Sequence, residues 1–83
     1  FLTSAGQILP EGEGFEVLSR LDEDHGVYKK LVLKDGQLVG AIWLGTKKGS
    51  VEITRLVQAR KNPGPYKSDL LADDFDFSRL NNL

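Results

Sequence analysis

Residues 27–45 read VYKKLVLKDGQLVGAIWLG, and this stretch decides the fold because two apolar runs flank Asp35-Gly36. An Asp-Gly pair between apolar runs is the strongest short-range signal of a β-hairpin, since a type I′ turn needs positive φ at both central residues. With these two residues as the loop, Lys34 pairs with Gln37 and the strands run back from the turn side by side. The stretch therefore predicts an antiparallel hairpin.

The core side of this hairpin follows from the alternation of side chains along each strand, because directly opposed residues point to the same side. An unbroken ladder predicts the pairs Leu33–Leu38, Leu31–Gly40 and Lys29–Ile42. One side then carries, besides the single polar residue Lys29, the apolar residues Val27, Leu31, Leu33, Leu38, Ile42 and Leu44. We predict that this side is the core.

The second side of the hairpin is also partly apolar. It carries Tyr28, Lys30, Val32, Lys34, Gln37, Val39, Ala41 and Trp43, and the same ladder pairs Tyr28 with Trp43 and Val32 with Val39. A solvated sheet face is expected to be mostly polar, so something is predicted to cover this side. Two interpretations stay open: the chain's own Phe75, Phe77 and Leu80 fold back over it, or another protein binds there.

The candidate interface consists of five residues on this second side. They are Tyr28, Val32, Val39, Ala41 and Trp43. Rigid aromatic side chains beside small apolar residues and lysines are typical of protein recognition surfaces.

The rest of the chain predicts a small α+β domain over residues 15–80. Residues 15–21 partly alternate and predict a third strand, which joins the hairpin through residues 22–26 as a three-stranded antiparallel β-meander. Residues 1–14 contain three glycines and a proline with little periodicity, and they predict a linker or lead-in.

One helix is predicted over residues 51–61, with Ser50 as its N-cap. Ile53, Leu56 and Val57 form an apolar stripe that is expected to pack on the core side of the sheet. The sequence NPGP at residues 62–65 ends the helix. A C-terminal tail follows, with a short helical turn at residues 68–72 and a frayed end at residues 81–83.

Composition excludes several classes of function. The 83 residues carry a net charge of −1, which argues against nucleic acid as the main partner, because such binding leaves a basic footprint. The absence of cysteine excludes disulfides and thiolate chemistry and is consistent with a reducing, cytoplasmic location. No apolar run has the length of a membrane span. Because the first residue is Phe rather than Met, we expect a fragment of a longer protein.

The residues offer little for catalysis, and we predict no catalytic, cofactor-binding or metal-binding residue. The run Asp22-Glu23-Asp24-His25 lacks the spacing of an EF-hand, and a zinc site needs more than one His when Cys is absent. His25 has no evident partner in the sequence. The glycines do not form a dinucleotide-binding GxGxxG pattern.

A second kind of site is suggested by the connection between the hairpin and the helix. Lys47, Lys48, Gly49 and Ser50 precede the predicted helix, where free backbone N–H groups and the positive end of the helix dipole attract anions. The run is not a Walker A loop. It is therefore read either as an ordinary connection or as an anion site.

The motif YKKLVLKDGQLVGAIWLG at residues 28–45 resembles the C-terminal domain of NAD(P)H-dependent FAD oxidoreductases. The relatives are the nitrite reductase large subunit and the rubredoxin reductase and NADH oxidase types, in which a similar hairpin and a short helix follow the FAD and NAD domains. Leu70-Leu71 and the sequence FDF at residues 75–77 also resemble the tail of that family. The resemblance spans roughly residues 14–80.

The resemblance implies an accessory α+β domain that docks on a flavoprotein body, a second subunit or a redox partner, with a homodimer among the arrangements. FAD and NAD(P)H are implied for the parent protein only, because their fingerprints belong to domains upstream of this chain. No catalytic residue transfers, so the isolated domain is not expected to be an enzyme. The alternative hypothesis is a free-standing binding module whose ligand is an anion at residues 45–50.

Overall fold

The structure is a computed structural model that describes residues 2–9, 12–72 and 75. It contains one antiparallel sheet of four strands, in the order β1-β4-β3-β2, and one α-helix. The elements are β1 (Leu2–Gly6), β2 (Phe15–Asp22), β3 (Val27–Lys34), β4 (Gln37–Leu44), α1 (Ser50–Gln58) and two 3₁₀ turns at Gly64–Tyr66 and Asp69–Leu71. The predicted α+β class is confirmed, but the predicted sheet of three strands is wrong.

The additional strand is β1, which lies within the stretch predicted as a lead-in. It pairs antiparallel with β4, from Leu2 opposite Leu44 to Gly6 opposite Gly40. Its sequence, LTSAG, is rich in small residues that have little intrinsic preference for strands. Pairing with the outer edge of β4, rather than local sequence preference, therefore accounts for this strand.

The central hairpin begins as predicted and then departs from an unbroken ladder. Asp35 and Gly36 both have positive φ, 51° and 83°, which confirms the predicted turn. Lys34 pairs with Gln37 and Leu33 with Leu38, also as predicted. The register then shifts, because Val32 pairs with Gly40 and Val39 is left as a β-bulge.

The bulge places the side chains of residues 40–44 on the face opposite to the predicted one, because a one-residue slip in the register turns every following side chain to the other side of the sheet. The predicted pairs Leu31–Gly40, Lys29–Ile42, Tyr28–Trp43 and Val32–Val39 are therefore wrong. The observed partners are Ala41 for Leu31, Trp43 for Lys29, Leu44 for Tyr28 and Gly40 for Val32. Trp43 and Ala41 thus join the core side, and Ile42 and Leu44 move to the other side.

The chain after β1 provides the physical reason for the bulge. The carbonyl of Val39 accepts a hydrogen bond from the Gln7 N–H, with 2.8 Å between nitrogen and oxygen. A Cβ atom at Gly40 would overlap the Gln7 carbonyl oxygen. The extra residue in β4 therefore supplies a hydrogen-bond acceptor to the backbone that follows β1. Only glycine at position 40 leaves room for that backbone.

We call the side of the sheet that faces α1 the covered face. Its core cluster is formed by nine buried residues, namely Leu31, Leu33, Leu38, Ala41, Trp43, Ile53, Val57, Leu70 and Leu71. The predicted helical stripe is confirmed, since Ile53 and Val57 belong to this cluster and Leu56 packs against it. Helix α1 lies on β4 and β1. The C-terminal segment that contains Leu70 and Leu71 completes the cluster.

The ends of α1 differ from the prediction. The helix begins at Ser50 after Gly49, which has φ 83°, and Ser50 Oγ donates to the Lys47 carbonyl instead of capping the helix. At the other end, Arg60 has φ 51°, and the N–H of Lys61 bonds to the Leu56 carbonyl, as in a Schellman motif. Arg60 and Lys61 therefore follow the helix rather than form its last turn.

We call the opposite side of the sheet the open face. According to the strand register and alternation, it carries Leu2, Ser4, Phe15, Val17, Ser19, Leu21, Tyr28, Lys30, Val32, Lys34, Gln37, Gly40, Ile42 and Leu44. None of these side chains belongs to the core cluster, although Val32 is fully buried at the part of this face next to Gly40. Among the described residues, no helix lies against this face.

Candidate functional site

The five residues of the candidate interface do not form a single surface. Tyr28 and Val32 lie on the open face, where Tyr28 is half-buried and Val32 is fully buried, whereas Ala41 and Trp43 are buried on the covered face. Val39 is the half-buried residue of the bulge. The prediction that all five share one side is therefore wrong, and a role for any of them in binding a partner stays a prediction.

Trp43 is the centre of a structural cluster rather than a recognition residue at the surface. Its side chain is 1% exposed, and its indole N–H donates to the Lys48 carbonyl at 2.9 Å. The buried Lys29 ammonium lies 5.2 Å from the Trp43 ring centroid and donates to the Leu71 carbonyl at 3.4 Å. This cluster joins the loop before α1 and the C-terminal segment to the covered face.

The described part of the tail lies on the same side of the sheet as the helix. Phe75 packs against the core cluster, and its ring centroid is 6.2 Å from that of Tyr66. Phe75 therefore lies on the side of Ala41 and Trp43 and not on the side of Tyr28 and Val32, so the interpretation that it folds over the candidate interface holds only in part. Phe77 and Leu80, which were considered with it, lie outside the described residues.

The open face carries most of the exposed large apolar side chains of the described residues. Leu2 is 65% exposed, Leu21 61%, and Val17 and Leu44 43% each. Leu2, Leu44, Tyr28 and Leu21 are successive register partners across all four strands, and we call these four residues the apolar row. Neighbouring strands are about 4.8 Å apart, so the row runs roughly 14 Å across the sheet.

Charge on the open face is of one sign. The strand residues of this face include Lys30 and Lys34 and no carboxylate. Lys34 lies 5.3 Å from the Phe15 ring centroid. Lys30 is one step from the apolar row, in the register row that also contains Ile42 and Ser19. Asp22 follows Leu21 of the row and belongs to the opposite face by alternation, and the loop after β2 contains Glu23 and Asp24.

The predicted anion loop uses several of its polar groups internally. The Lys48 N–H donates to Thr46 Oγ1 at 3.2 Å, and the Ser50 N–H donates to the Lys47 carbonyl at 3.0 Å. Glu52 places a carboxylate in the first turn of α1. Lys47, Lys48, Gly49 and Ser50 therefore do form one turn at the start of the helix, as the sequence indicated, and their binding of an anion stays a prediction.

The loop between β2 and β3 contains a His–Asp pair that the sequence analysis missed. His25 Nδ1 is 2.8 Å from Asp22 Oδ2, and the His25 N–H donates to Asp22 Oδ1 at 3.3 Å. The available signal in the sequence was that Asp22 and His25 are three residues apart within a short loop. The His25 side chain is 77% exposed, and the loop residues 22–26 include no Ser, Thr or Cys. Among the described residues, no three His, Cys, Asp or Glu side chains form a candidate metal site.

A comparison with protein families gives a match over most of the chain. Residues 1–61 match the family described as the rubredoxin NAD+ reductase C-terminal domain. These residues contain all four strands and α1, up to Lys61, where the Schellman motif ends. No curated protein matches the chain. In the described part of the chain, no helix has both the length and the apolar character needed to cross a membrane.

Proposed function

The chain belongs to the family of rubredoxin NAD+ reductase C-terminal domains, and on this premise we propose that it is a non-catalytic accessory domain of an FAD-dependent NAD(P)H oxidoreductase. Its proposed role is to dock on the flavoprotein body, on a second subunit or on a redox partner. In this role the domain positions other groups and does not itself react. FAD and NAD(P)H belong to the parent protein in this proposal.

The observation that supports docking is the difference between the two faces of the sheet. The covered face is closed by α1 and the C-terminal segment, whereas the open face leaves Leu2, Leu21 and Leu44 exposed. Exposed apolar groups that are contiguous on one face are typical of protein interaction sites. The His25–Asp22 pair lacks a nucleophile within the loop, which favours positioning over catalysis.

A flavin-binding experiment tests the non-catalytic part of the proposal. The 83-residue chain is mixed with excess FAD, separated by gel filtration, and assayed for bound flavin and for oxidation of NADH. We expect neither. Flavin that co-elutes in a one-to-one ratio, or NADH oxidation above the rate of free FAD, would contradict the proposal.

The docking part is tested by supplying the chain to a reductase that lacks this domain. We expect the chain to bind the shortened flavoprotein, measured by titration calorimetry, and to change its melting temperature or its rate of electron transfer. No binding, together with unchanged activity of the shortened protein, would contradict docking.

A second candidate function is anion binding at residues 45–50, and one observation favours it. Helix α1 begins after a left-handed Gly49 and has no side-chain hydrogen bond at its N-terminus, so a side chain does not occupy that end. Titration with inorganic phosphate, followed by the amide shifts of Lys48 to Val51, separates this function from docking. Saturable shifts of these amides would support it, and unmoved amides would remove it.

A further inference from the structure

We propose that the apolar row and Lys30 on the open face form the surface by which this domain docks, and that the occupant is the body of its own oxidoreductase, which presents an apolar ridge with a carboxylate opposite Lys30. This inference rests on the proposed function, because it identifies the face and the chemistry of the docking partner.

The shape of the surface comes from the strand register. Leu2, Leu44, Tyr28 and Leu21 contribute one residue from each strand, so the row crosses the whole sheet and is backed by its hydrogen bonds. A rigid surface loses little conformational entropy on binding. The row lies at the end of the sheet away from the Asp35-Gly36 turn, whereas the connection after β1 passes the other end, at Gly40.

Attachment of the chain favours the body of the same protein as the occupant. In a reductase that carries this domain at its C-terminal end, the preceding part is joined to β1, whose Leu2 is itself a member of the apolar row. The linked body is therefore held near this end of the sheet. Such linkage gives an effective concentration of roughly millimolar for short flexible connections, which favours docking next to the attachment point.

Charge favours the body of the reductase over a second copy of the chain as the occupant of this surface. Lys30 is the cation beside the apolar row, and the strand residues of the open face include no carboxylate. In a two-fold dimer both partners present the same patch, so the face itself offers Lys30 no opposite charge. A different surface that carries a carboxylate meets both the apolar and the charged part of the patch.

The position of Phe75 favours the body over the chain's own tail. Phe75 packs against the core cluster on the covered face, the side of the sheet opposite the apolar row. The last described part of the chain therefore leads away from the proposed docking surface.

Lysine labelling in the complete reductase tests this inference. Reductive dimethylation with formaldehyde is followed by mass spectrometry at Lys30 and at Lys48, an exposed lysine beside α1 that serves as the internal control. We expect Lys30 to react about tenfold more slowly in the reductase than in the 83-residue chain, because a tethered domain is docked most of the time. Lys48 should react equally in both proteins.

A matched pair of substitutions separates docking from folding. Leu21→Glu changes the apolar row, and Val51→Glu changes α1 at a residue of similar exposure, 57% against 61%. In the reductase, we expect Leu21→Glu to restore the labelling of Lys30 to the rate in the isolated chain and Val51→Glu to leave it slow. Both variants of the 83-residue chain should retain the parent's melting temperature.

Each other outcome overturns the inference in a recognisable way. Slow labelling of Lys48 instead of Lys30 in the reductase means that the domain docks through the α1 side, so the proposed function stands and this inference fails. Equal labelling of both lysines in both proteins means that the domain does not dock, which contradicts the proposed function as well. Slow labelling of Lys30 in the dilute isolated chain identifies the tail as the occupant, and protection that appears only at high concentration identifies a second copy.

Discussion

The two faces of this sheet both carry large apolar side chains, but the described part of the chain covers one of them far more completely than the other, on which Val32 is the one fully buried apolar strand residue. The covered face buries Trp43 and Leu31 beneath α1 and the C-terminal segment, whereas the open face leaves Leu21 and Leu44 exposed. Trp43 and Leu44 are adjacent in the sequence and lie on opposite sides. Apolar content along a strand therefore does not identify the core, because the register decides which residues reach it.

The largest effect that distinguishes the faces is expected at Trp43. Trp43→Ala should lower the free energy of unfolding by about 3–5 kcal/mol, because it leaves a cavity and removes the bond to the Lys48 carbonyl. Leu44→Ala, the neighbouring change on the open face, should cost less than about 1 kcal/mol. Urea denaturation measures both variants. Equal losses would contradict the observed register.

The bulge that creates this register is tested at Gly40. Gly40→Ala places a methyl group against the Gln7 carbonyl and should cost about 1–3 kcal/mol, a cost typical of overpacked sites. Gly26→Ala is the comparison at a site with open space, where the added methyl group meets nothing and the cost of about 1–2 kcal/mol comes from the φ of 65°. NMR of Gly40→Ala should show shifts at Gln7 and Val39. A Gly40→Ala protein of unchanged stability would contradict the close approach of β1.

The reversal that follows α1 should be improved by glycine. Arg60 occupies the left-handed position of the Schellman motif, and the next carbonyl, that of Lys61, accepts the Leu38 N–H. Arg60→Gly should raise the free energy of unfolding by about 0.5–1 kcal/mol, because glycine adopts positive φ without steric cost. Arg55→Gly, inside the helix, should lower it by about 1 kcal/mol. Thermal denaturation compares the two, and destabilisation by Arg60→Gly would contradict the motif.

The smallest effect is expected for the ion pair between β2 and the C-terminal segment. Lys67 Nζ lies 2.7 Å from Glu16 Oε1, but both side chains are more than 40% exposed. Glu16→Gln should therefore cost only about 0.2–1 kcal/mol at low salt, and less at high salt because exposed ion pairs are screened. Glu23→Gln, an exposed change in the loop after β2, is the control. A salt-independent loss at Glu16 would indicate a role other than this ion pair.

Much of the fold was accessible from the sequence because it depends on local interactions. The Asp35-Gly36 turn follows from the φ values that the turn requires, and the stripe of Ile53 and Val57 follows from helical periodicity. The Schellman motif at the end of α1 was missed, because its left-handed position holds Arg60 and not the glycine that usually marks such a motif.

The missed features depend on contacts between distant parts of the chain. Strand β1 forms because β4 offers a free edge, and the bulge at Val39 depends on Gln7. Gly40 was the available signal, since an isolated glycine within a strand pattern often marks a bulge or a close backbone approach. The candidate interface failed for the same reason, because Ala41 and Trp43 were assigned to a face by an unbroken ladder. Tyr28 and Val32 lie on β3, whose faces the bulge in β4 does not change, and they were assigned to the correct face.

The most direct test of the two-faced sheet is a solvent-exposure measurement on the 83-residue chain. A soluble gadolinium chelate enhances the relaxation of methyl groups that it can approach, and NMR records the effect for each residue. The structure predicts strong enhancement for Leu21, Leu44 and Val17 on the open face and little for Leu31, Leu33 and Leu38 on the covered face. Equal protection of the two sets would contradict the account.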